Sequence, residues 1–284
     1  MSVETIAVPA AILGGVGLIF AVLIAIAHRR FYVWEDPRID AVGELLPGTN
    51  CGACGFAGCR AFAEGLVAAV AQPAGCTVMG PADVLDVAAY LGVDAGTANR
   101  RVARLLCGGG CDAAPNRAEY RGLGTCAAAA AVASGGKSCP WGCLGLGDCE
   151  VSCDLDAIVM HETALPVVIP ELCTACGDCV EACPKDLFVL MPVSQKLIVQ
   201  CVNPIDGDEA ESLCSAACTA CGKCVQDAAD GLIRIAGGLA VIDYSKNALA
   251  TPAATARCPT GAIAWVDDMQ LVSRPTPLPT REVA

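Results

Sequence analysis

The sequence predicts an α+β protein in three parts: a single N-terminal membrane helix, a small four-cysteine domain, and tandem cysteine-rich domains of short strands and helices. Three observations predict this. Residues 6–27 are an uncharged apolar run; cysteines spaced C-x2-C-x4-C-x16-C follow it; and a C-x2-C-x2-C-x3-C-P run lies mid-chain inside a pattern that repeats.

The whole composition bounds the reading first. In 284 residues there are 21 Cys, 2 His, 18 Lys and Arg and 30 Asp and Glu, a net charge of −12. That length suits small domains rather than one large core, and with only 4% aromatic residues such domains need cross-links or metals to hold together. Disulfides require an oxidising compartment, whereas tight C-x2-C runs ending in C-P place thiolates around one inorganic cluster. Zinc is the other candidate, but His28 and His161 stand outside any Cys/His set, so iron–sulfur ligation is expected. The acidic balance argues against nucleic acid as a partner.

The segment "IAVPAAILGGVGLIFAVLIAIA", residues 6–27, is long enough to span a bilayer. "HRR" follows at once, so the positive-inside rule places the rest of the chain in the cytoplasm. A cleaved secretion signal is the competing reading, and it wants positive charge ahead of the apolar run, where this chain has Glu4. A single-pass anchor in the cell inner (cytoplasmic) membrane, residues 1–30, is therefore expected. Ala10, Gly14, Gly17, Ala21 and Ala25 line one helical face. That stripe either admits a close partner helix or reflects the ordinary abundance of Gly and Ala in membrane helices.

Residues 31–90 make the four-cysteine domain. "PGTNCGACGFAGCRAFAEG" and "AGCTVMGP" supply Cys51, Cys54, Cys59 and Cys76, enough thiolates for one [4Fe–4S] cluster, with zinc as the alternative. Gly52, Gly55 and Gly58 let the backbone fold tightly around the metal, and "RAFAEGLVAAV" reads as a helix leaving the site. Trp34 and Phe56 read as local core.

The run "CTACGDCVEACPKD" begins the argument for ferredoxin-like domains. In a bacterial two-cluster ferredoxin each half gives three Cys to its own cluster and sends its fourth to the other. Cys173, Cys176, Cys179 and Cys183 form one half, and "CLGLGDCEVSCDLDAI" aligns Cys143, Leu146, Cys149 and Cys153 with it. Crossing over, one cluster takes Cys173, Cys176, Cys179 and Cys153. Its neighbour takes Cys143, Cys149 and Cys183 and lacks a ligand at Leu146, which Cys139 could replace; a three-iron cluster competes. Residues 139–198 are the first ferredoxin-like domain, after a cysteine-containing connecting region, 91–138.

Residues 199–284 read as a second, partly degenerate copy with a Pro-rich tail. "CTACGKC" gives Cys218, Cys221 and Cys224, and "ARCPTGAI" gives Cys258. These are one complete crossed set, while Ala228, Ala248, Thr251 and Ala254 stand at every position of the other. One cluster is lost whole and its twin is intact, which is how cluster ligands, not independent zinc ligands, would be lost. Cys107, Cys111, Cys126, Cys139, Cys201 and Cys214 remain. The C-x3-C of Cys214 and Cys218 repeats that of Cys139 and Cys143, with a Cys thirteen residues earlier in each copy, Cys201 and Cys126. Cys107, Cys111, Cys126 and Cys139 could form a further cluster, or this group could be structural thiols. The expected total is four to six [4Fe–4S] clusters, at least three with complete ligand sets.

Other features are minor. "CGGGC" lacks the Lys and the strand–turn–helix setting of a phosphate loop and reads as a tight turn beside a ligand. "CAAAAAVAS" reads as a short helix, His161 and Glu162 as an exposed hairpin loop, and "RPTPLPT" as a polyproline-type tail. No catalytic residues are expected, since one-electron transfer needs no general acid or base.

One N-terminal membrane helix, then "GTNCGACGFAGC", "CPWGCLGLGDC" and "CTACGDCVEACP", closely resembles the B subunit of the Rnf complex, the membrane-bound ferredoxin:NAD oxidoreductase that moves Na+ or H+. The likeness covers nearly the whole chain. It implies a hetero-oligomer in which soluble ferredoxin gives electrons to this chain, which relays them to flavin-bearing membrane partners. Flavin and NAD sites belong to other subunits, and no dinucleotide fingerprint occurs here. An iron–sulfur component of another membrane oxidoreductase, such as one reducing a redox regulator, and a zinc-stabilised membrane scaffold are the alternatives.

Overall fold

The computed structural model describes residues 3–31, 35–97 and 100–271; Trp34 and the Pro-rich segment 274–280 lie outside them. Helix α1, Val3–Phe31, carries the apolar run, and His28, Arg29 and Arg30 occupy its last turn, where cations complement the exposed carbonyls. Its stretch Leu13–Phe31 is apolar and long enough to cross a membrane, and none of that stretch is buried by the rest of the chain.

Three helices build the next module. Helix α2, Pro37–Leu45, starts at a proline and is capped by Asp36, whose carboxylate accepts from the Arg38 amide. Helix α3, Cys59–Val67, and α4, Pro81–Leu91, follow, and α4 stops at Gly92 in the left-handed conformation (φ 66°). Val42, Leu46, Phe62, Ala63, Leu66 and Val87 form their shared core. Phe56 packs edge-on against Phe62 with ring centroids 5.5 Å apart, in the local core expected of it.

Two copies of one short-stranded unit make up the rest. In the first, β1, Arg101–Leu105, pairs antiparallel with β4, Phe188–Pro192, from Arg101 opposite Pro192 to Leu105 opposite Phe188. Between them come α5, Cys126–Ala131, α6, Asp148–Val151, the hairpin of β2, Ile158–Met160, and β3, Pro166–Val168, and α7, Asp178–Ala182. In the second, β5, Leu197–Val199, pairs with β8, Ile263–Trp265, around α8, Gly207–Leu213, α9, Lys223–Asp227, and the hairpin of β6, Ile233–Ala236, and β7, Leu239–Ile242.

Hydrogen bonds fix the equivalence of the copies. The Leu106 amide, just after β1, donates to Leu187 just before β4, and the Gln200 amide, just after β5, donates to Ala262 just before β8. Cys107 and Cys201 therefore hold matching places, two residues beyond the first strand, and this replaces the sequence match of Cys201 with Cys126. The pairing also cuts across the expected connecting region 91–138. Its residues 101–105 are one strand of a sheet whose partner lies beyond the hairpin, a pairing that cysteine spacing does not report.

Each copy has its own core, with Leu105, Ile158, Leu165, Leu187 and Phe188 in one and Leu197, Leu232, Ile233 and Ile263 in the other. Thiols are interleaved with these side chains. Between the copies lies a third patch of small residues, Ala113, Ala114, Ala210 and Ala217, with Cys139 and Cys214. Across it the Gly108 amide donates to Gln200 O (2.9 Å), Ser138 Oγ to Leu213 O (2.8 Å) and the Ser215 amide to Ala113 O (2.9 Å).

Candidate metal centres

The cysteines gather into sets of four, each denoted by its first member in the chain. The Cys51 set lies in the helical module. Cys59 opens α3, where its amide donates to Asn50 Oδ1 at 2.9 Å, and Cys76 follows the turn Pro73–Gly75. Cys54, Cys59 and Cys76 pack against the module core. Burial raises the Cys76 thiol, the amides of Val78 and Met79 act the other way, and Cys54 and Cys51 are close enough to raise it further.

Four cavities in the strand-containing copies hold the other sets. Cys153, Cys173, Cys176 and Cys179 line one, beside Ala103, whose amide donates to Cys173 Sγ at 3.5 Å. Cys126, Cys143, Cys149 and Cys183 line another, where the Leu187 amide donates to Cys183 Sγ. Cys107, Cys139, Cys201 and Cys214 line a third at the seam between the copies. Cys218, Cys221, Cys224 and Cys258 line a fourth. The three complete sequence-predicted combinations are thus brought together in space.

Two expected groupings differ from the thiols that meet in space. Cys139 does not line the cavity of Cys143, Cys149 and Cys183; Cys126, from the start of α5, does. Thr125 caps that helix by accepting from the Ala128 amide, and the Ala127 amide donates to Asp148 Oδ2 at the start of α6, so the helix end is pinned beside Cys149. Nor do Cys107, Cys111, Cys126 and Cys139 form one group. Cys107 and Cys139 join their counterparts Cys201 and Cys214 across the seam, and Cys111 stands exposed, its Sγ donating to the Glu162 carbonyl at 3.7 Å.

The seam site explains the "CGGGC" turn. A Cβ on Gly109 would lie 2.7 Å from Cys214 Sγ, so no side chain fits where the chain wraps the cavity. In the second copy, Ala228 and Ala254 pack into the apolar core while Ala248 and Thr251 are exposed, so these four positions do not face a common space. His161 and Glu162 form the β2–β3 turn, as expected, with Thr163 Oγ1 3.0 Å from His161 Nδ1.

Electrostatics and geometry both test the fit of a cluster. Burial, then the neighbouring Cys107, pushes the Cys143 thiol up to about 12; burial, then Cys173, does the same to Cys179. Burial pushes Cys214 and Cys224 up to about 11. Thiols crowded in this way keep their protons until bound metal cations replace them. Exposed Cys221 is the exception, its thiol drawn down by the Lys223 amide. Among the described residues no group of His, Cys, Asp or Glu side chains closes tightly enough to hold a single metal ion. Thiols ringed around a void fit a polynuclear iron–sulfur group better than zinc, which needs four sulfurs about 2.3 Å from one point.

Adjoining sets are linked through their members or the residues flanking them. Thr77, beside Cys76, donates through Oγ1 to Thr174 O (2.8 Å), beside Cys173. Burial raises the Cys149 thiol, then Cys143, Cys126 and Cys183 do, and Cys179 is close enough to raise it further; the Cys143 amide donates to Cys107 Sγ at 3.4 Å, and Cys201 lies beside Cys218.

Comparison with known proteins gives the same chemistry. Residues 46–78 match the family described as "Putative Fe-S cluster", and residues 165–227 match the "4Fe-4S dicluster domain". The chain is 46% identical over 243 residues to the B subunit of the Na(+)-translocating ferredoxin:NAD(+) oxidoreductase complex of Acetobacterium woodii, covering 86% of this chain and 73% of that one. It is 40% identical to the B subunit of the proton-translocating ferredoxin:NAD(+) oxidoreductase complex of Clostridium ljungdahlii, covering 87% and 88%. It is 38% identical to the B subunit of the ion-translocating oxidoreductase complex of Methanosarcina acetivorans, covering 89% and 96%.

Proposed function

Because this chain belongs to the B-subunit family of ion-translocating ferredoxin:NAD(+) oxidoreductase complexes, we propose that its thiol sets form a single electron relay from an exposed end to a membrane end. It is an iron–sulfur electron-transfer subunit of a membrane-associated, multi-subunit oxidoreductase complex. The relay reading assigns five [4Fe–4S] clusters, ligated by the Cys51, Cys153, Cys126, Cys107 and Cys218 sets. Bound clusters of this kind supply one-electron transfer.

The chain's own residues set the order and the surroundings. The contact of each set with the next carries the proposal, because it leaves one unbranched path: Cys218, Cys107, Cys126, Cys153 and Cys51 sets. Amides of Cys143, Ala103 and Leu187 donate to ligand sulfurs, which favours an added negative charge at those sets. The Cys218 set contains the exposed thiol Cys221 and is the proposed docking point for reduced ferredoxin. The Cys51 set is the nearest in sequence to α1. That helix is proposed as a single-pass anchor with the cysteine-bearing part on the cytoplasmic side, the side of Arg29 and Arg30. The strand pairings support tandem ferredoxin-like units spanning about 101–192 and 197–265.

Iron and acid-labile sulfide counting on the anaerobically purified full chain tests the assignment. About 20 iron atoms and as many sulfides per chain are expected, four for each set of four thiols. The same count should survive removal of residues 1–30, which frees the chain from membranes. Stoichiometric zinc with no sulfide would refute the relay.

A further inference from the structure

Lys137 belongs to no thiol set, yet it stands between two of them. Half-buried, it lies two residues before Cys139, and its Nζ donates to the Gly109 carbonyl at 2.8 Å and to the Cys143 carbonyl at 2.5 Å. Gly109 lines the Cys107 cavity and Cys143 lines the Cys126 cavity. One ammonium thus bridges the walls of two adjacent sets, at the same place where the Cys143 amide reaches Cys107 Sγ.

We infer that the Lys137 ammonium is a fixed cation of the relay, seated between the Cys107 and Cys126 sets, where it favours an added electron at both. The inference rests on the cluster reading above. The physical reason is charge. Each set of four thiolates carries excess negative charge, reduction adds one more, and a cation held by carbonyls in a half-buried position offsets that addition more strongly than one in water. In the step concerned, one electron leaves the centre at one set and arrives at the next. No bond to Lys137 forms or breaks.

The test is a potentiometric titration followed by electron paramagnetic resonance, on the full-length protein purified anaerobically, with the wild type, Lys137→Arg and Lys137→Gln. Glutamine keeps a donor for the two carbonyls without the charge; arginine keeps the charge. In Lys137→Gln two centres, identified by their absence in Cys107→Ser and Cys126→Ser, are expected to become about tenfold harder to reduce, a shift of about 59 mV to lower potential for one electron. The other centres, and all centres in Lys137→Arg, should titrate as in the wild type. Full iron content with unmoved potentials in Lys137→Gln would overturn the inference. So would loss of the two centres in both variants, which would make Lys137 a clamp for the loops. An iron-free wild-type chain would overturn the cluster reading itself, and this inference with it.

Discussion

Cys126 and Cys111 are the same residue type, both outside any C-x2-C run, and the fold gives them opposite fates. A capped helix end pins Cys126 against Cys143, Cys149 and Cys183, while Cys111 faces solvent beside the Glu162 carbonyl. Cys126→Ser should therefore remove one centre, about four irons per chain, and Cys111→Ser none. Iron analysis of the two variants checks this; equal losses would contradict the assignment. The contrast also marks how far the residues could be read from spacing. Cys173, Cys176 and Cys179 lie around one loop and the first turn of α7, so local chain geometry alone makes them converge. Cys126 reaches its set through Thr125 and Asp148, contacts for which no short motif exists. Cys107 and Cys201 converge only because two copies dock, which a one-dimensional register cannot express.

At the scale of elements, the strands are too short to stand alone, and the edge of β1 is completed by a side chain. Gln270, 2% exposed, acts as a substitute strand for β1: its Oε1 accepts from the Leu105 amide at 3.0 Å and its Nε2 donates to the Leu105 carbonyl. Leu105 also packs on the core that carries Cys107, Cys143 and Cys179. Gln270→Leu leaves that amide and carbonyl buried without partners and should cost about 1–3 kcal/mol, read as a lower denaturant midpoint of the anaerobic protein. An unchanged midpoint would show that the edge is satisfied some other way. The helices begun by "RAFAEGLVAAV" and "CAAAAAVAS" and the His161–Glu162 turn are visible in the sequence because their patterns are local. Strand β1 is not: its partner β4 lies beyond an intervening hairpin and several helices, so residues 101–105 read as connector until the pairing is seen.

For the whole molecule, duplication explains both what was lost and what was gained. The second copy packs Ala228 and Ala254 into its apolar core where the first copy has cysteines, and one set of four thiols lies within it. Docking the copies joins the Cys107–Cys139 pair to the Cys201–Cys214 pair, and the shared site links the two units where they would otherwise be separated. The proposed relay runs from the exposed thiol of Cys221 to the module that follows the apolar helix α1. The most direct test is the iron content of the full chain, prepared anaerobically, in Cys107→Ser, Cys201→Ser and the double variant. All three should lose the same single centre, about four irons, with no further loss in the double variant. Additive losses, or a Cys201→Ser chain that keeps all its iron, would show that the two copies do not share a site and that the relay is broken at its middle.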